Sequence, residues 1–582
     1  GMLAGENVTT GADNTLIGGL AGDALTTGGE NVVVGYNALH SDTKGVGSVA
    51  IGKNALYYQN FSTTTTSYNT AIGKSAGLYV TTGVENTLIG GLAGDALTTG
   101  GYNVAIGSQA LTSDDLGSHS VAIGRMALEN QNYATATNSY NTAVGSNAGN
   151  AVTTGVQNTL LGGLAGDALT TGAENVAVGV SALSTGTGDS KTIAIGRAAL
   201  RDQNVNGDSH NVAIGYYAGH VISTATYNTL IGNYAGYDLD TGNTNVAIGY
   251  GALQNEEDGD RNVAIGFNTL AYQKHNTTTD VYNVAIGYQT GYEITTGNHN
   301  ILVGGLAGDN LTVGNANVAI GTSALGGDSK GDRNIAIGYE ALLNQNFSTT
   351  TDAYNIAIGY QAGHDISTGS GNVLIGGLAG DSMTTGDANV AIGKNAIGNG
   401  TMTGANNTAV GNAAGYSLTS GGNNLFLGKD AGRTGSPGGN FAAASNEIVL
   451  GDENITDFNC QVSLTVASDQ RDKTDFTALD LGMNFVKALK PYTFKWDKRS
   501  KYIDKTDPSV DLNKVTTDGT HKEDQLDVGF KAQDVVALEE ASNYKISDKT
   551  NLTVNLSSDG KQYAMRYEKL VPILVKAIQE LE

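Results

Sequence analysis

The sequence predicts a mainly β architecture: a parallel β-solenoid of about 25 coils, then a small α+β domain ending in an amphipathic helix. Three observations carry this expectation. The stretch GGLAGDALTTGG at 18–29 returns letter for letter at 90–101, and GGLAGDALTTGA follows at 162–173, so the copies are evenly spaced. A shorter word, N-x-x-x-G around an apolar triplet, recurs with a period of 17 through most of the chain. Composition then changes near residue 468, since only four of the 82 glycines lie beyond it. These breaks divide the chain into a repeat shaft over 1–432, a last coil with a β-rich connector over 433–468, and a separate domain over 469–582.

The short word reads NTLIG at 14–18, NVVVG at 31–35, SVAIG at 48–52 and NTAIG at 69–73, and runs on to NLFLG at 424–428 and EIVLG at 447–451. About every fourth step is stretched, usually from 17 to 21, so that four coils together span the interval from Gly18 to Gly90. The copied stretch therefore marks the same place in a four-turn superperiod. The stretched steps are themselves alike: YYQNFSTTTTSYN (57–69), ENQNYATATNSYN (129–141) and LNQNFSTTTDAYN (343–355). A Thr-rich loop is expected at one corner of each fourth turn, where solenoids place insertions and often binding surfaces.

Within the triplet, the first and third residues are mostly Val, Ile or Thr, which suit a pleated strand. Alternation sends these two to one face and the middle residue, usually Ala or Leu, to the other. Both faces read as buried, one inside the coil, with the small Ala face suited to a second chain lying close by. Glycine after each triplet allows a positive φ, and the leading Asn can bond neighbouring backbone and stack as a ladder. Helix is excluded over this region, because each glycine would lose roughly 1 kcal/mol in helical geometry. At about 4.8 Å per coil, the shaft would extend on the order of 120 Å.

Residues 1–468 carry 14 Lys/Arg against 36 Asp/Glu, which accounts for nearly all of the net charge of −24. Such a surface excludes nucleic acid and anionic membrane as partners, since phosphate contacts need clustered cations. No apolar run reaches membrane length, and the N-terminal residues lack a signal-peptide pattern. The lone cysteine, Cys460, reads as a small buried apolar residue, and no disulfide can form within the chain. GGLAGD differs from the calcium-binding G-G-x-G-x-D turn and reads as a plain turn. Thr corners on only every fourth coil do not make an ice-binding array, and the eight histidines lack ligand spacing, so neither metal nor cofactor is expected. Tyr57, Tyr68, Tyr133, Tyr140, Tyr282 and Tyr354 cluster at the stretched corners. Two roles are open to them: covering the corner, or stacking on sugars in a row of weak sites strengthened by multivalency.

Beyond residue 445, NEIVLGDENITDFNCQVSLTVA (446–467) alternates like strand, and 476–489 has helical spacing. PYTFKWD (491–497) reads as strand with Pro at its start, and 526–541 as strand then helix. The last segment, 561–582, reads as strand then helix, with an apolar stripe at Leu570, Ile573, Leu574, Ala577, Ile578 and Leu581. That stripe either docks on its own domain or packs against two further copies.

Two resemblances follow from these motifs. The repeat words, over 14 to about 451, resemble the head repeats of trimeric bacterial autotransporter adhesins, whose N-S-V-A-I-G words wind three chains side by side into left-handed β-rolls; the coil here is longer than that family's repeat. The second covers the whole C-terminal domain. S-D-x-R-x-K (Ser468, Asp469, Arg471, Lys473), L-x-P-Y-x-F (489–494), G-F-x-A-Q-D-V (529–535) and Y-x-x-L-x-x-x-L-V-x-A-I-Q-E-L (567–581) together resemble the intramolecular chaperone of phage endosialidases and tail fibres. This resemblance implies a domain that trimerises, assembles the fibre ahead of it and then cuts itself off. It makes Ser468 and Lys473 the catalytic dyad, with the scissile bond between Ser468 and Asp469 and Arg471 in a supporting role.

A Ser–Lys pair is sensible chemistry, since lysine serves as base once burial or nearby positive charge disfavours its ammonium form. A serine Oγ cannot attack its own carbonyl through a four-membered ring, so Ser468 either attacks the Ala467 carbonyl or acts across the trimer. A shaft of near-identical coils also needs such a domain, because three chains can pair one coil out of register and non-local parallel pairing is slow. The resulting expectation is a homotrimeric phage tail fibre on the virion, made in the host cytoplasm, joined to other tail proteins through a region ahead of residue 1, and binding a host surface glycan or protein. A bacterial trimeric surface adhesin would need a membrane barrel at its C-terminal end, and a depolymerising tailspike an acid pair in a groove; the sequence offers neither.

Overall fold

The computed structural model describes residues 1–582 apart from 463, 506–509, 558 and 582. The protein is mainly β, a parallel solenoid of about 24 turns followed by a small C-terminal region with three short helices. It divides into two units, 1–322 and 323–582. The first consists of solenoid coils alone, its triplet strands running from Thr15–Ile17 to Val318–Ile320. The second holds coils from Ile335–Ile337 to Ile448–Leu450 and the C-terminal region. No helix among the described residues is long and apolar enough to cross a membrane.

Within each unit, every coil contributes one three-residue strand, paired in parallel and in strict register with the next. Thr87, Val104, Val121 and Thr142 are successive partners, and the stretched step between the last two leaves the register intact. The leading asparagines explain this constancy. Asn86 N–H donates to Asn69 Oδ1 at 2.9 Å, and Asn103 N–H to Asn86 Oδ1 at 3.0 Å. Each side-chain amide also donates to a carbonyl of the following coil, Asn86 Nδ2 to Gly100 at 3.1 Å and Asn103 Nδ2 to Gly117 at 2.9 Å. These asparagines are fully buried, so every one of their polar atoms needs such a partner. The closing glycines form a second column. Gly107 has φ +137°, and a Cβ there would lie 2.4 Å from the Gly124 carbonyl oxygen.

The core reverses one expectation. The middle residues Leu88, Ala105, Ala122 and Ala143 are fully buried inside the coil, while the Val, Ile and Thr residues beside them face outward. The Ala face is thus the interior, and the face left for another chain is β-branched and half-exposed. The reason is volume, because the coil closes on itself and its other walls bring leucines inward. Where the triplet carries Leu88, the chain has glycine at 94, whose Cβ would sit 2.8 Å from Leu88 Cδ2, and Leu97 fills the next gap. Where it carries Ala105, a buried leucine, Leu111, takes the equivalent place. The repeated GGLAGDAL is the large-triplet version of this exchange.

In the C-terminal region, α1 (Met483–Ala488), α2 (Ala532–Ala541) and α3 (Leu570–Gln579) accompany two antiparallel pairs, Pro491–Phe494 with Asp527–Phe530 and Val554–Leu556 with Tyr563–Met565. Leu481, Phe485, Val535, Val554, Leu570 and Ile573 make the core. Helix α1 is shorter than the spacing suggested because Gly482 stands at its N-terminus, where Glu580 accepts the Met483 N–H at 2.7 Å. The apolar stripe of α3 splits: Leu570, Ile573 and Ala577 are buried, whereas Leu574, Ile578 and Leu581 are exposed together with Val571 and Val575. Ahead of this region, strand content ends at Leu450; 452–467 forms no strand among the described residues, and Cys460 is exposed rather than buried.

Asn158 donates to Gly172 O at 2.9 Å and accepts the Asn175 N–H at 3.1 Å, so Asn158→Ala leaves two buried backbone groups unpaired. Limited proteolysis with mass spectrometry should show new cuts confined to the coils around 158–175, with the C-terminal region as resistant as before.

Candidate functional site

The connector ends at Ser468, and the chain then makes a single 3₁₀ turn, Gln470–Asp472. Asp469 starts the turn by accepting the Arg471 N–H at 2.9 Å, and Lys473 closes it with its own N–H on Gln470 O at 3.1 Å. This turn folds Lys473 back over Ser468. The Lys473 ammonium donates to Ser468 Oγ at 2.5 Å and to the Ser468 carbonyl oxygen at 3.3 Å. One nitrogen therefore reaches both the hydroxyl and the carbonyl of the same residue. Arg471 does not join them. Its guanidinium pairs with Asp469, Nη2 to Oδ2 at 2.6 Å, and this bond holds the Asp469 carboxyl below its usual range. All four side chains are exposed in the single chain.

The tyrosines separate into three environments. Tyr68, Tyr140, Tyr282 and Tyr354 are exposed, and each directly precedes a buried ladder asparagine with φ near +50°. They sit on one edge position of the coil, where Tyr102, His119 and Tyr140 stack with centroids 5.0 and 5.1 Å apart. Arg261 covers Tyr282 and Arg333 covers Tyr354. Tyr57 is half-buried against His40 at 4.7 Å. Tyr133 is corrected outright: it is buried, donating its hydroxyl to Gly155 O at 2.8 Å, and plugs the corner as Phe61 and Phe347 do. Burial raises its phenol pKa.

Behind five of the stretched corners lies a cluster that sequence reasoning missed. Asp42, Asp114, Asp189, Glu256 and Asp328 are fully buried. Each accepts from a glutamine amide, as Asp114 Oδ2 does from Gln131 at 2.6 Å, and Gln131 Oε1 in turn accepts from Asn141 at 2.8 Å. The signal was present as a glutamine just ahead of each corner plug, paired with an acid about one coil earlier, as in Asp114 with Gln131 and Tyr133. Desolvation pushes the Asp114 carboxyl up to about 6. Glu256 differs, because His275 occupies the plug position with Nδ1 3.0 Å from Glu256 Oε2. Burial there is outweighed by the His275 bond and charge, so Glu256 titrates low and His275 high.

Residues 468–542 match the family model described as chaperone of endosialidase, and the match begins at the serine of the Ser–Lys pair. No curated protein and no solved structure matches the chain. The C-terminal region is thus a chaperone domain of the endosialidase type, a class that is trimeric in general and implies self-cleaving activity. With a long β-solenoid ahead of that domain, the chain has the organisation of a tail fibre or tailspike.

The buried acids give the shaft a pH dependence. Asp114, Asp309 and Asp381 titrate at about 6 when folded, mainly through desolvation, against 3.8 unfolded. The folded state therefore takes up protons first, and stability rises as pH falls from about 6 toward 4. Glu256 and Glu340, held low, lose their contribution only below their unfolded value of 4.5. His220, whose pKa burial lowers, opposes the trend below 6.5, while His275 reinforces it. Thermal unfolding followed by circular dichroism should move to higher temperature between pH 7.5 and pH 5.

Proposed function

We propose that this chain is the subunit of a homotrimeric phage tail fibre whose C-terminal domain directs trimerisation and then cuts itself off between Ser468 and Asp469. The carrying observation is the Lys473 ammonium seated on Ser468 Oγ at the first residue of the family match. In the attack, Lys473 as free amine takes the Ser468 proton while Oγ adds to a carbonyl carbon. The peptide C–N bond then breaks, the amine leaves with a proton from the lysine, and water hydrolyses the resulting ester. Ring size forbids attack on the same residue's carbonyl, so the Ser468 hydroxyl of one copy acts on the Ser468 carbonyl of a neighbour. Packing of copies would also bury Lys473, which favours its neutral form. Cleavage then reports correct assembly.

The shaft is the non-enzymatic, host-binding part, displayed on the virion and made in the host cytoplasm, with a further region joining it to other tail proteins. The outward Val and Ile residues of the triplets supply an apolar face for two further copies. The exposed Tyr68, Tyr140, Tyr282 and Tyr354 support contact with a host surface glycan or protein at the corners.

Purified wild-type chain should run on a denaturing gel as two fragments divided after residue 468, whereas Ser468→Ala and Lys473→Ala stay whole. An uncut wild-type chain would sink the assignment. Co-expressed with wild type, Ser468→Ala chains should be cut in mixed trimers; if they remain whole, attack is within one copy, on Ala467. Light scattering should give three times the chain mass for Ser468→Ala, and the further change Ile106→Lys with Ile123→Lys should lower that mass while β content by circular dichroism is kept.

A further inference from the structure

We infer that cleavage beside Ser468 does not by itself release the C-terminal domain, because a buried ionic seam keeps that domain seated on the last coil. The inference rests on the self-cleavage proposed above and adds what the two products do afterwards. The seam joins residues 433–453, on one side of the cut, to residues 498–559, on the other. Lys505 Nζ pairs with the Glu453 carboxylate and lies 3.9 Å from Asp452 Oδ2. Lys498 Nζ donates to the Glu453 carbonyl at 2.6 Å. Arg433 Nη2 donates to the Lys505 carbonyl at 2.8 Å, while Nη1 is held by Asp430 at 2.6 Å and the guanidinium lies 4.4 Å from the Tyr416 ring centre. Asn440 N–H donates to Asp559 Oδ2 at 3.1 Å.

The shaft side of the seam is dry, whereas the side chains of Lys505 and Lys498 reaching it are 20 and 21% exposed. The side chains of Glu453, Asp452 and Arg433 are 5, 7 and 9% exposed. Ser500 approaches the backbone so tightly that a Cβ on Gly435 would fall 2.5 Å from its own. Separating the surfaces would strip buried charges of their partners, which is strongly unfavourable, and salt screens buried pairs far less than exposed ones. The connector offers no comparable hold, since Val462, Leu464 and Val466 in it are all exposed. The domain side of the seam belongs to a lysine-rich stretch, Lys498, Lys501 and Lys505, facing a shaft in which acids outnumber bases. The cut therefore converts a covalent joint into an electrostatic one, and the domain stays as a cap on the end of the shaft.

The test uses the full chain with an affinity tag at its C-terminus. A denaturing gel reports cleavage, and capture through the tag in about 0.15 M salt, where exposed pairs are largely screened, reports whether the shaft fragment stays with the domain. Wild type should be fully cut and still bring down the shaft in near-equal amount. Lys505→Glu and Glu453→Lys should each reduce the captured shaft by about tenfold or more, as expected when a buried pair loses one partner. The double reversal, Lys505→Glu with Glu453→Lys, should restore most of it. Complete cleavage with free separation of the wild-type fragments would overturn the seam while leaving self-cleavage intact. So would single reversals that hold the shaft as well as wild type. A wild-type chain that stays whole on the denaturing gel would instead overturn the cleavage on which the inference stands.

Discussion

A buried asparagine at the head of nearly every strand triplet is the interaction on which the rest of this shaft depends. An amide side chain removed from water needs partners, and at Asn86 the oxygen takes the backbone N–H of the next coil while the amide donates to a carbonyl of that coil. Because both partners are backbone groups at fixed places in the repeat, the bond pattern closes only when the next coil returns in the same phase. The glycine column applies the same demand sterically, since any Cβ there would strike the carbonyl of the coil above. Hydrophobic burial supplies the driving force, but it is the polar ladder that makes a one-residue slip expensive.

The superperiod adds a second level of specification. Along one chain, a coil with a large triplet residue and a corner glycine, Leu88 with Gly94, is followed by two with alanine and a corner leucine, Ala105 with Leu111 and Ala122 with Leu128. One with alanine and glycine, Ala143 with Gly149, comes next, so the turns differ in volume through each superperiod. The stretched corners at Asp42, Asp114, Asp189, Glu256 and Asp328 then insert a buried acid and a glutamine amide in place of the simple ladder contact. At Glu256 and His275 the same corner is built with an ion pair instead of an aromatic ring. In the proposed trimer, these differences would give chains lying side by side a set of marks four turns apart. A chaperone that fixes the register at one end is then needed only once.

Much of this was legible in the sequence, because a constant period and a β-branched triplet leave few alternatives to a parallel solenoid. Which face of the triplet points inward was not. Small Ala suggested close approach by another chain, but Leu97, Leu111 and their equivalents already fill the coil from its other walls, and only a small middle residue fits between them. Tyr133 looked like its exposed neighbours because a tyrosine and a phenylalanine can serve the same plug, a choice decided by the Gly155 carbonyl lying within reach of the hydroxyl. The spacing of Ser468 and Lys473 was readable as a motif. That Arg471 turns to Asp469 instead follows from the 3₁₀ turn, which places both on one side. The acid–glutamine corners were missed because their members, such as Asp114 and Gln131, lie about one coil apart in the chain, a separation meaningful only once the coil length fixes what is adjacent.

The exposure of the Ser–Lys pair then takes on a consistent sense. On the mechanism proposed above, the pair needs its base in the neutral form, which burial favours and open water does not. Apolar surface that one chain alone does not bury is also present on the outer face of α3, with Leu574 and Ile578, and at the connector residues Val462, Leu464 and Val466. Association of copies through such surfaces would exclude water from the region it covers. Under that proposal, chemistry and assembly would be coupled through desolvation, without a dedicated switch.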